Sequence, residues 1–110
     1  MSAFKIMWLI VMFDLPTQTK KDRKRYRWFV NFLDKQGFLR LQYSVYAKVF
    51  NSYESATHGK KHIKEFLHLN VKHGNVRLMM LTDAQFGKME LIVGAPTKQE
   101  EVAQPSLFDF

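Results

Sequence analysis

The pattern of hydrophobic and polar residues along this 110-residue chain predicts alternating strands and helices. Phe4–Phe13 is apolar at nearly every position, which predicts a strand covered on both faces. Thr19, followed three residues later by Asp22, predicts a capping box that opens a helix. That helix is expected to end at Gly37, because glycine accepts the left-handed backbone conformation common just after a helix. Its expected core-facing stripe is Tyr26, Phe29, Val30 and Leu33.

The rest of the pattern predicts a second helix and further strands. Phe38–Phe50 alternates apolar and polar residues, as a half-exposed strand does. Its 13 residues exceed the usual strand length, so we expect a break or bulge near Gln42–Ser44 that yields two strands. A helix over Ser55–Leu69, a strand over Val76–Thr82 and a last short strand over Glu90–Gly94 should follow.

The order of these elements predicts the fold class. Strand, helix, two strands, helix and strand form the ferredoxin-like βαββαβ pattern of an α+β protein, with both helices on one face of the sheet. The first strand is apolar on both sides, so the open face also needs a cover, and a second copy of the chain is the simplest candidate. Residues 1–94 are expected to form this domain. Residues 95–110 contain two of the three prolines and no periodicity, and they are expected to form a flexible tail.

Charge and composition narrow the function classes. The net charge is +7, and small basic domains usually bind polyanions, although a merely soluble basic surface stays open as an alternative. The absence of cysteine excludes disulfides, thiolate zinc sites and cysteine catalysis. The longest apolar run, Ile6–Phe13, is much shorter than the roughly 20 residues that cross a bilayer. Asp14 follows it where a signal peptide would need small residues, so we expect a cytoplasmic protein that does not associate with membranes.

Asp14 is the candidate catalytic residue and metal ligand, because it is a carboxylate at the end of an apolar strand. The alternative is a turn-forming aspartate that precedes Leu15 and Pro16. One carboxylate alone is a poor site for Mg²⁺ or Mn²⁺, which prefer octahedral oxygen coordination with more than one anionic donor. In a symmetric dimer, two copies of Asp14 near the two-fold axis would share one ion, which would then activate water for phosphodiester cleavage.

The start of the first helix carries six cations in eight positions. Like charges four residues apart destabilise a helix unless a polyanion relieves them, so we expect contacts to nucleic-acid phosphates without base recognition. A solvated helix face is the alternative. Trp28 lies nearly opposite the core-facing stripe and is expected to be either partly covered by neighbours or the anchor of a partner interface. The candidate nucleic-acid-binding residues are Lys20, Lys21, Arg23, Lys24, Arg25 and Arg27.

The end of the chain carries a candidate partner-binding peptide. Gln104 is followed by two spacer residues and then by Leu107 and Phe108. This pattern resembles the short peptides that bind bacterial sliding clamps, in which the Leu-Phe pair would fill a hydrophobic pocket and the glutamine would hydrogen-bond at its rim.

Several spaced motifs resemble the CRISPR-associated protein 2 family in its type II form, over roughly residues 5–93. Several motifs in the same order indicate this family more specifically than any one motif does. They comprise Met12–Thr17, Arg23, Lys24, Tyr26, Arg27, Phe32, Leu33, Gly37, Phe38, Gln42, Ser44–Tyr46, Gly74, Asn75, Gln85, Phe86 and Met89.

The resemblance implies a homodimer with an extra C-terminal strand that packs on the partner subunit. It also implies a role in spacer acquisition, in which the dimer lies between two dimers of the CRISPR-associated protein 1 integrase and binds a double-stranded DNA prespacer. Some family members are metal-dependent nucleases on RNA or double-stranded DNA, with the strand-end aspartate that matches Asp14 as metal ligand. Others act as a structural bridge.

The resulting expectation is a DNA-binding scaffold with a metal-dependent endonuclease site at paired Asp14 residues. A stand-alone toxin-type endoribonuclease of the same fold is one alternative. A single-strand RNA-binding module is another, and it would need exposed aromatic residues on the central strands.

Overall fold

A computed structural model describes residues 5–95 of the chain. Strand β1, Met7–Asp14, is an inner strand of a four-stranded antiparallel sheet with the order β2-β3-β1-β4. Its apolar residues are buried on both faces of the sheet, as with Leu9 and Trp8, which confirms the prediction from the uninterrupted apolar run.

Helix α1, Lys20–Lys35, begins at the predicted capping box. The Thr19 hydroxyl accepts a hydrogen bond from Asp22 N at 3.0 Å, and the Asp22 carboxylate accepts one from Thr19 N at 3.2 Å. Gly37 follows the helix with a φ of 87°, in the left-handed region that favours glycine. Both predicted ends of the helix are therefore confirmed to within a residue or two.

The predicted break in the second strand region is also confirmed. β2 covers Leu39–Gln42 and β3 covers Val45–Phe50, and the register shifts between Arg40 and Gln42. Helix α2, Tyr53–Asn70, then returns across the sheet and is slightly longer than predicted. Strand β4, Asn75–Thr82, pairs antiparallel with the outer side of β1.

Both helices pack on one face of the sheet, as the ferredoxin-like fold requires. Gly59 of α2 contacts β3 so closely that a Cβ there would lie 2.6 Å from Cζ of Phe50. The buried residues of this helix-side core are Leu9, Val11, Phe13, Leu15, Phe29, Leu33, Phe38, Tyr46 and Ile63.

The opposite face is partly covered by a short helix that the hydrophobic pattern did not predict. Helix α3, Asp83–Phe86, follows β4 directly. Phe86 stacks on Trp8 with ring centroids 3.8 Å apart, and Trp8 Nε1 donates a hydrogen bond to Asp83 Oδ1 at 2.9 Å. The chain itself therefore buries part of the face that we expected a second copy to cover. The missed signal was a second capping box, formed by Thr82 and Gln85.

The predicted last strand, Glu90–Gly94, is not formed within the single chain, where this segment is irregular. A strand exists only when a neighbouring backbone completes its hydrogen bonds, and the pattern of side chains alone does not supply that neighbour. Ile92 and Val93 are 80% and 89% exposed. Among residues 5–95, no helix combines the length and the apolar character needed to cross a bilayer.

Candidate functional site at the end of β1

Asp14 is the last residue of β1, and it is exposed. It pairs across the sheet with Asn75, the first residue of β4. Leu15, the next residue, is buried in the helix-side core and anchors the chain as it leaves the strand. Gly74 precedes β4 with a φ of 101°, and a Cβ there would lie 2.8 Å from the backbone oxygen of Asp14. Glycine therefore lets the loop before β4 pass directly against Asp14.

A shallow groove of about 390 Å³ opens beside Asp14. The loop between β2 and β3 forms one side of it, held by a hydrogen bond from Phe13 N to Ser44 O at 3.1 Å. The start of β4 forms the other side. The groove is lined by Met12, Phe13, Asp14, Ser44, Val45, Asn75 and Arg77.

Arg77 is a candidate functional residue of the groove that the sequence pattern did not reveal. It lies opposite Met12 in the β1–β4 pairing, and Met12 and Asp14 share one face of β1, so Arg77 and Asp14 lie on the same face of the sheet. Its Nε donates a hydrogen bond to Asn75 Oδ1 at 3.4 Å. The sequence feature that could have identified Arg77 is that it is the single charged residue of the predicted strand Val76–Thr82.

The groove combines a carboxylate with a guanidinium, an amide and a hydroxyl. A guanidinium binds phosphate oxygens through parallel N–H groups, and a carboxylate oxygen is a ligand that Mg²⁺ accepts. This set of groups is suited to holding a phosphodiester next to an acidic residue.

The donor set of one chain is only part of a metal site. Residues 5–95 contain no group of three or more His, Cys, Asp or Glu placed to hold an ion. Mg²⁺ is commonly bound by one or two carboxylates together with substrate phosphate oxygens. Asp14 therefore fits such an ion as one ligand, and a second copy or a bound phosphate would have to supply the others.

The cations of α1 lie at the same end of the sheet, because α1 begins shortly after β1 ends. All six predicted nucleic-acid-binding residues are exposed except Arg25, which is half-buried. Arg23 has a structural task as well, since its Nη1 donates hydrogen bonds to the backbone oxygens of Thr17 and Gln18 at 3.1 and 3.0 Å. Arg23 therefore stabilises the turn between β1 and α1, whereas Arg27 has its side chain in solvent.

Trp28 is 45% exposed on the outer side of α1. The Nζ of Lys24, one turn earlier, lies 4.9 Å from the centroid of its ring, within range of a cation–π interaction. Trp28 is therefore partly covered by its own chain, and its role as the anchor of a partner interface stays a prediction.

A family model described as CRISPR associated protein Cas2 matches residues 7–89, well over half of the chain. This chain belongs to the Cas2 family. The family resemblance expected from the spaced motifs is confirmed.

Three Cas2 relatives illustrate the similarity, and each is named a CRISPR-associated endoribonuclease Cas2. The protein of Acidovorax ebreus is 38% identical over 105 residues, which cover 93% of this chain and 100% of that protein. The protein of Campylobacter jejuni subsp. jejuni is 39% identical over 89% of this chain and 66% of that protein. The protein of Parvibaculum lavamentivorans is 43% identical over 84% of this chain and 92% of that protein.

The Cas2 match includes both walls of the groove and all of α1. The tail peptide predicted to bind a partner, with Gln104, Leu107 and Phe108, lies beyond the match and outside the described residues.

Tyr26 connects α1 to the β2–β3 loop beside the groove. Burial raises the pKa of its phenol, and the neighbouring Tyr43 raises this pKa further through a side-chain hydrogen bond, whereas a hydrogen bond with Ser44 lowers it. The Tyr26 phenol therefore interacts with this loop through hydrogen bonds to both Tyr43 and Ser44.

The aromatic residues of the central strands do not form a base-stacking surface. Trp8, Phe13 and Tyr46 are all buried, and Phe50 is half-buried. The exposed aromatics that a single-strand RNA-binding sheet would need are therefore missing from β1 and β3.

Proposed function

We propose that this Cas2-family chain is a homodimeric scaffold of CRISPR adaptation that binds double-stranded DNA and bridges dimers of the CRISPR-associated protein 1 integrase. We propose further that the groove at Asp14 is a metal-dependent site of phosphodiester hydrolysis. The observation that supports nucleic-acid binding and hydrolysis is that Asp14 and Arg77 line one groove, and that the basic beginning of α1 follows β1 at the same end of the sheet.

Exposed apolar side chains support the homodimer. Met79 lies on the open face of β4 and is 43% exposed, and Leu91, Ile92 and Val93 follow in the irregular segment with high exposure. Several exposed apolar side chains in one part of a molecule are typical of a protein interface. Pairing of residues 90–94 with the sheet of a second copy would bury these side chains and provide the strand that the single chain lacks.

Two side chains of the groove would have different roles in hydrolysis. Arg77 would hold a non-bridging phosphate oxygen and offset the negative charge that develops during attack by water. Asp14 would hold a divalent cation, which when bound lowers the pKa of water and polarises the phosphate. The relatives named endoribonucleases support phosphodiester cleavage as the reaction class, with RNA as the substrate that their names indicate. Cleavage of DNA is a further part of the proposal.

The exposed cations of α1 would hold the phosphate backbone of a duplex. Phosphate contacts position a protein on DNA without specifying sequence, which suits a scaffold that must accept any prespacer. Each neutralised phosphate also releases counterions, so the number of bound phosphates is measurable from the dependence of binding on salt concentration.

The test compares Asp14→Asn with Arg27→Gln in the full chain. Asp14→Asn should abolish Mg²⁺- or Mn²⁺-dependent cleavage of labelled RNA and duplex DNA, and duplex binding and dimer formation should be retained. Arg27→Gln should retain the metal dependence of cleavage and lower the slope of log affinity against log salt by about 0.9 for each phosphate that is no longer neutralised.

Cleavage by Asp14→Asn at the wild-type rate would refute the catalytic assignment. An unchanged salt slope in Arg27→Gln would place the DNA surface elsewhere. Arg27 is preferred to Arg23 for this test because Arg23 also supports the turn before α1.

A stand-alone toxin-type endoribonuclease is the second candidate, favoured by the endoribonuclease names of the three relatives. It predicts growth arrest on expression that depends on Asp14. The scaffold predicts co-purification with an integrase subunit, and Asp14→Asn should not weaken that association.

A further inference from the structure

A second groove, of about 340 Å³, lies between α1 and α2 on the helical layer. It is distinct from the groove at Asp14 and shares no residue with it. The residues that line it are Trp28, Asn31, Phe32, Lys35, Phe66 and Asn70.

The floor of this groove is built and held in place by aromatic packing. Phe32 and Phe66 stack with centroids 4.3 Å apart and planes inclined by 17°. Asn70 is fixed above them, because its Nδ2 donates a hydrogen bond to Phe66 O at 2.9 Å. A ligand would therefore meet a preformed surface and would lose little affinity to ordering it.

Cations flank Trp28 along the same stripe of α1. Lys20, Lys24, Trp28, Asn31 and Lys35 follow one another at spacings of four, four, three and four residues. This spacing places them on one side of the helix, over a length of about 22 Å at 1.5 Å per residue.

The chemistry of this stripe matches that of an unpaired nucleotide strand. The indole of Trp28 is 45% exposed and has Nζ of Lys24 4.9 Å from its ring centroid, so a base could stack on the part of the ring that Lys24 leaves open. Flanking ammonium groups can hold successive phosphates, and amide side chains can hydrogen-bond base edges. A protein partner fits less well, because lysine is depleted at the centres of protein interfaces. The lining residues, all within the described part of the chain, include a lysine and no carboxylate.

We infer that the groove between α1 and α2 binds single-stranded nucleic acid, with one base stacked on Trp28 and the adjacent phosphates held by Lys24 and Lys35. This inference rests on the proposed function only in taking α1 as a nucleic-acid-binding helix. It adds a site for an unpaired segment in the groove, and this site shares Lys24 with the duplex-binding cations of α1.

The two tryptophans of the sequence allow a direct test by fluorescence. Trp8 is 1% exposed and stacked on Phe86, whereas Trp28 is 45% exposed. Stacking of a base should therefore quench Trp28 and leave Trp8 emission unchanged. The probes are a short oligouridylate and a blunt DNA duplex of the same length, each titrated into the full chain.

Three variants accompany the titration. Trp28→Ala should lose the quenching and bind the oligouridylate roughly tenfold or more weakly, as expected for the loss of one base–aromatic stack. Trp28→Phe retains an aromatic face and should keep most of the affinity. Tyr53→Ala removes another exposed aromatic residue, at the start of α2 and outside the groove, and should bind like the wild type. Duplex binding should be unchanged in all three.

Each outcome separates this inference from the proposed function. Equal quenching by the duplex, or wild-type affinity of Trp28→Ala for the oligouridylate, would overturn the inference. A change in sedimentation of Trp28→Ala at unchanged thermal stability would instead make the groove a protein interface. Duplex binding without any response to the oligouridylate would refute the inference alone, whereas failure to bind either probe would refute both.

Discussion

Gly74 lies against the backbone of Asp14, so replacing it tests both the fold and the candidate site. Its φ of 101° lies where side chains are disfavoured, and a Cβ would stand 2.8 Å from both the Asp14 oxygen and Cδ2 of Leu15. Gly74→Ala must therefore strain the loop or displace the end of β1. Displacement of the end of β1 would move Asp14 relative to Arg77.

Two destabilising effects and one stabilising effect determine how much Gly74→Ala changes the free energy of unfolding. The left-handed conformation costs an alanine about 1–2 kcal/mol. Insertion of a methyl group into a filled space costs typically about 1–3 kcal/mol. Alanine also lowers the conformational entropy of the unfolded chain, which stabilises the folded state by about 0.4–1 kcal/mol. Gly74→Ala should therefore lower the free energy of unfolding by about 1–4.5 kcal/mol, a large part of the roughly 5–15 kcal/mol of a typical domain.

Gly37→Ala is the matched control. Gly37 also has a positive φ, of 87°, but the nearest atoms to its Cβ would be Cε and Nζ of Lys48 at 3.6 Å, an ordinary van der Waals distance. Only the conformational effect applies, so the loss of stability should be about 1 kcal/mol. Urea denaturation at one fixed protein concentration measures both variants, because any dimerisation makes stability depend on concentration.

Cleavage assays on the same variants complete the comparison. At conditions where both are folded, Gly74→Ala should cleave more slowly than wild type and Gly37→Ala should not. Equal losses of stability would refute the argument from the close approach of Gly74 to Asp14. Wild-type cleavage by Gly74→Ala would show that the position of Asp14 is not critical.

Two further predictions concern the two faces of the sheet. Phe86→Ala should lower the free energy of unfolding by about 3–5 kcal/mol, because a fully buried ring leaves a cavity over Trp8; a loss under about 1 kcal/mol in urea denaturation would show that α3 does not cover this face. Burial, followed by the charge of Asp34, raises the pKa of Tyr46 above its ordinary 10.0, so its contribution to stability is full below that pH and is lost as pH rises through the folded-state pKa. Tyr46→Phe cannot ionise and should lose less stability than wild type between pH 9 and strongly alkaline conditions; identical alkaline losses would contradict this reasoning.

The elements that could be predicted from the sequence are those with local signals. The capping box of Thr19 and Asp22, the apolar run of β1 and the excessive length of Phe38–Phe50 each involve residues close together in the chain. Helix α3 had such a signal in Thr82 and Gln85, but its four residues are too few to show a hydrophobic period. The strand predicted over Glu90–Gly94 had a suitable pattern and no partner within the described part of the chain.

The sequence by itself determined the order of the elements, the family and the presence of an acid at the end of a buried strand. The tertiary structure decided which side chains surround that acid. Arg77 and Asn75 line the same groove as Asp14 only because β4 pairs with β1 across a long stretch of intervening chain, and Gly74 permits the close approach. Likewise, Trp28 becomes part of a groove only when Phe66 and Asn70 of α2 pack beside it. Local propensity and periodicity carry no information about such distant pairs, because burial of the sheet faces and packing of the helices bring them together.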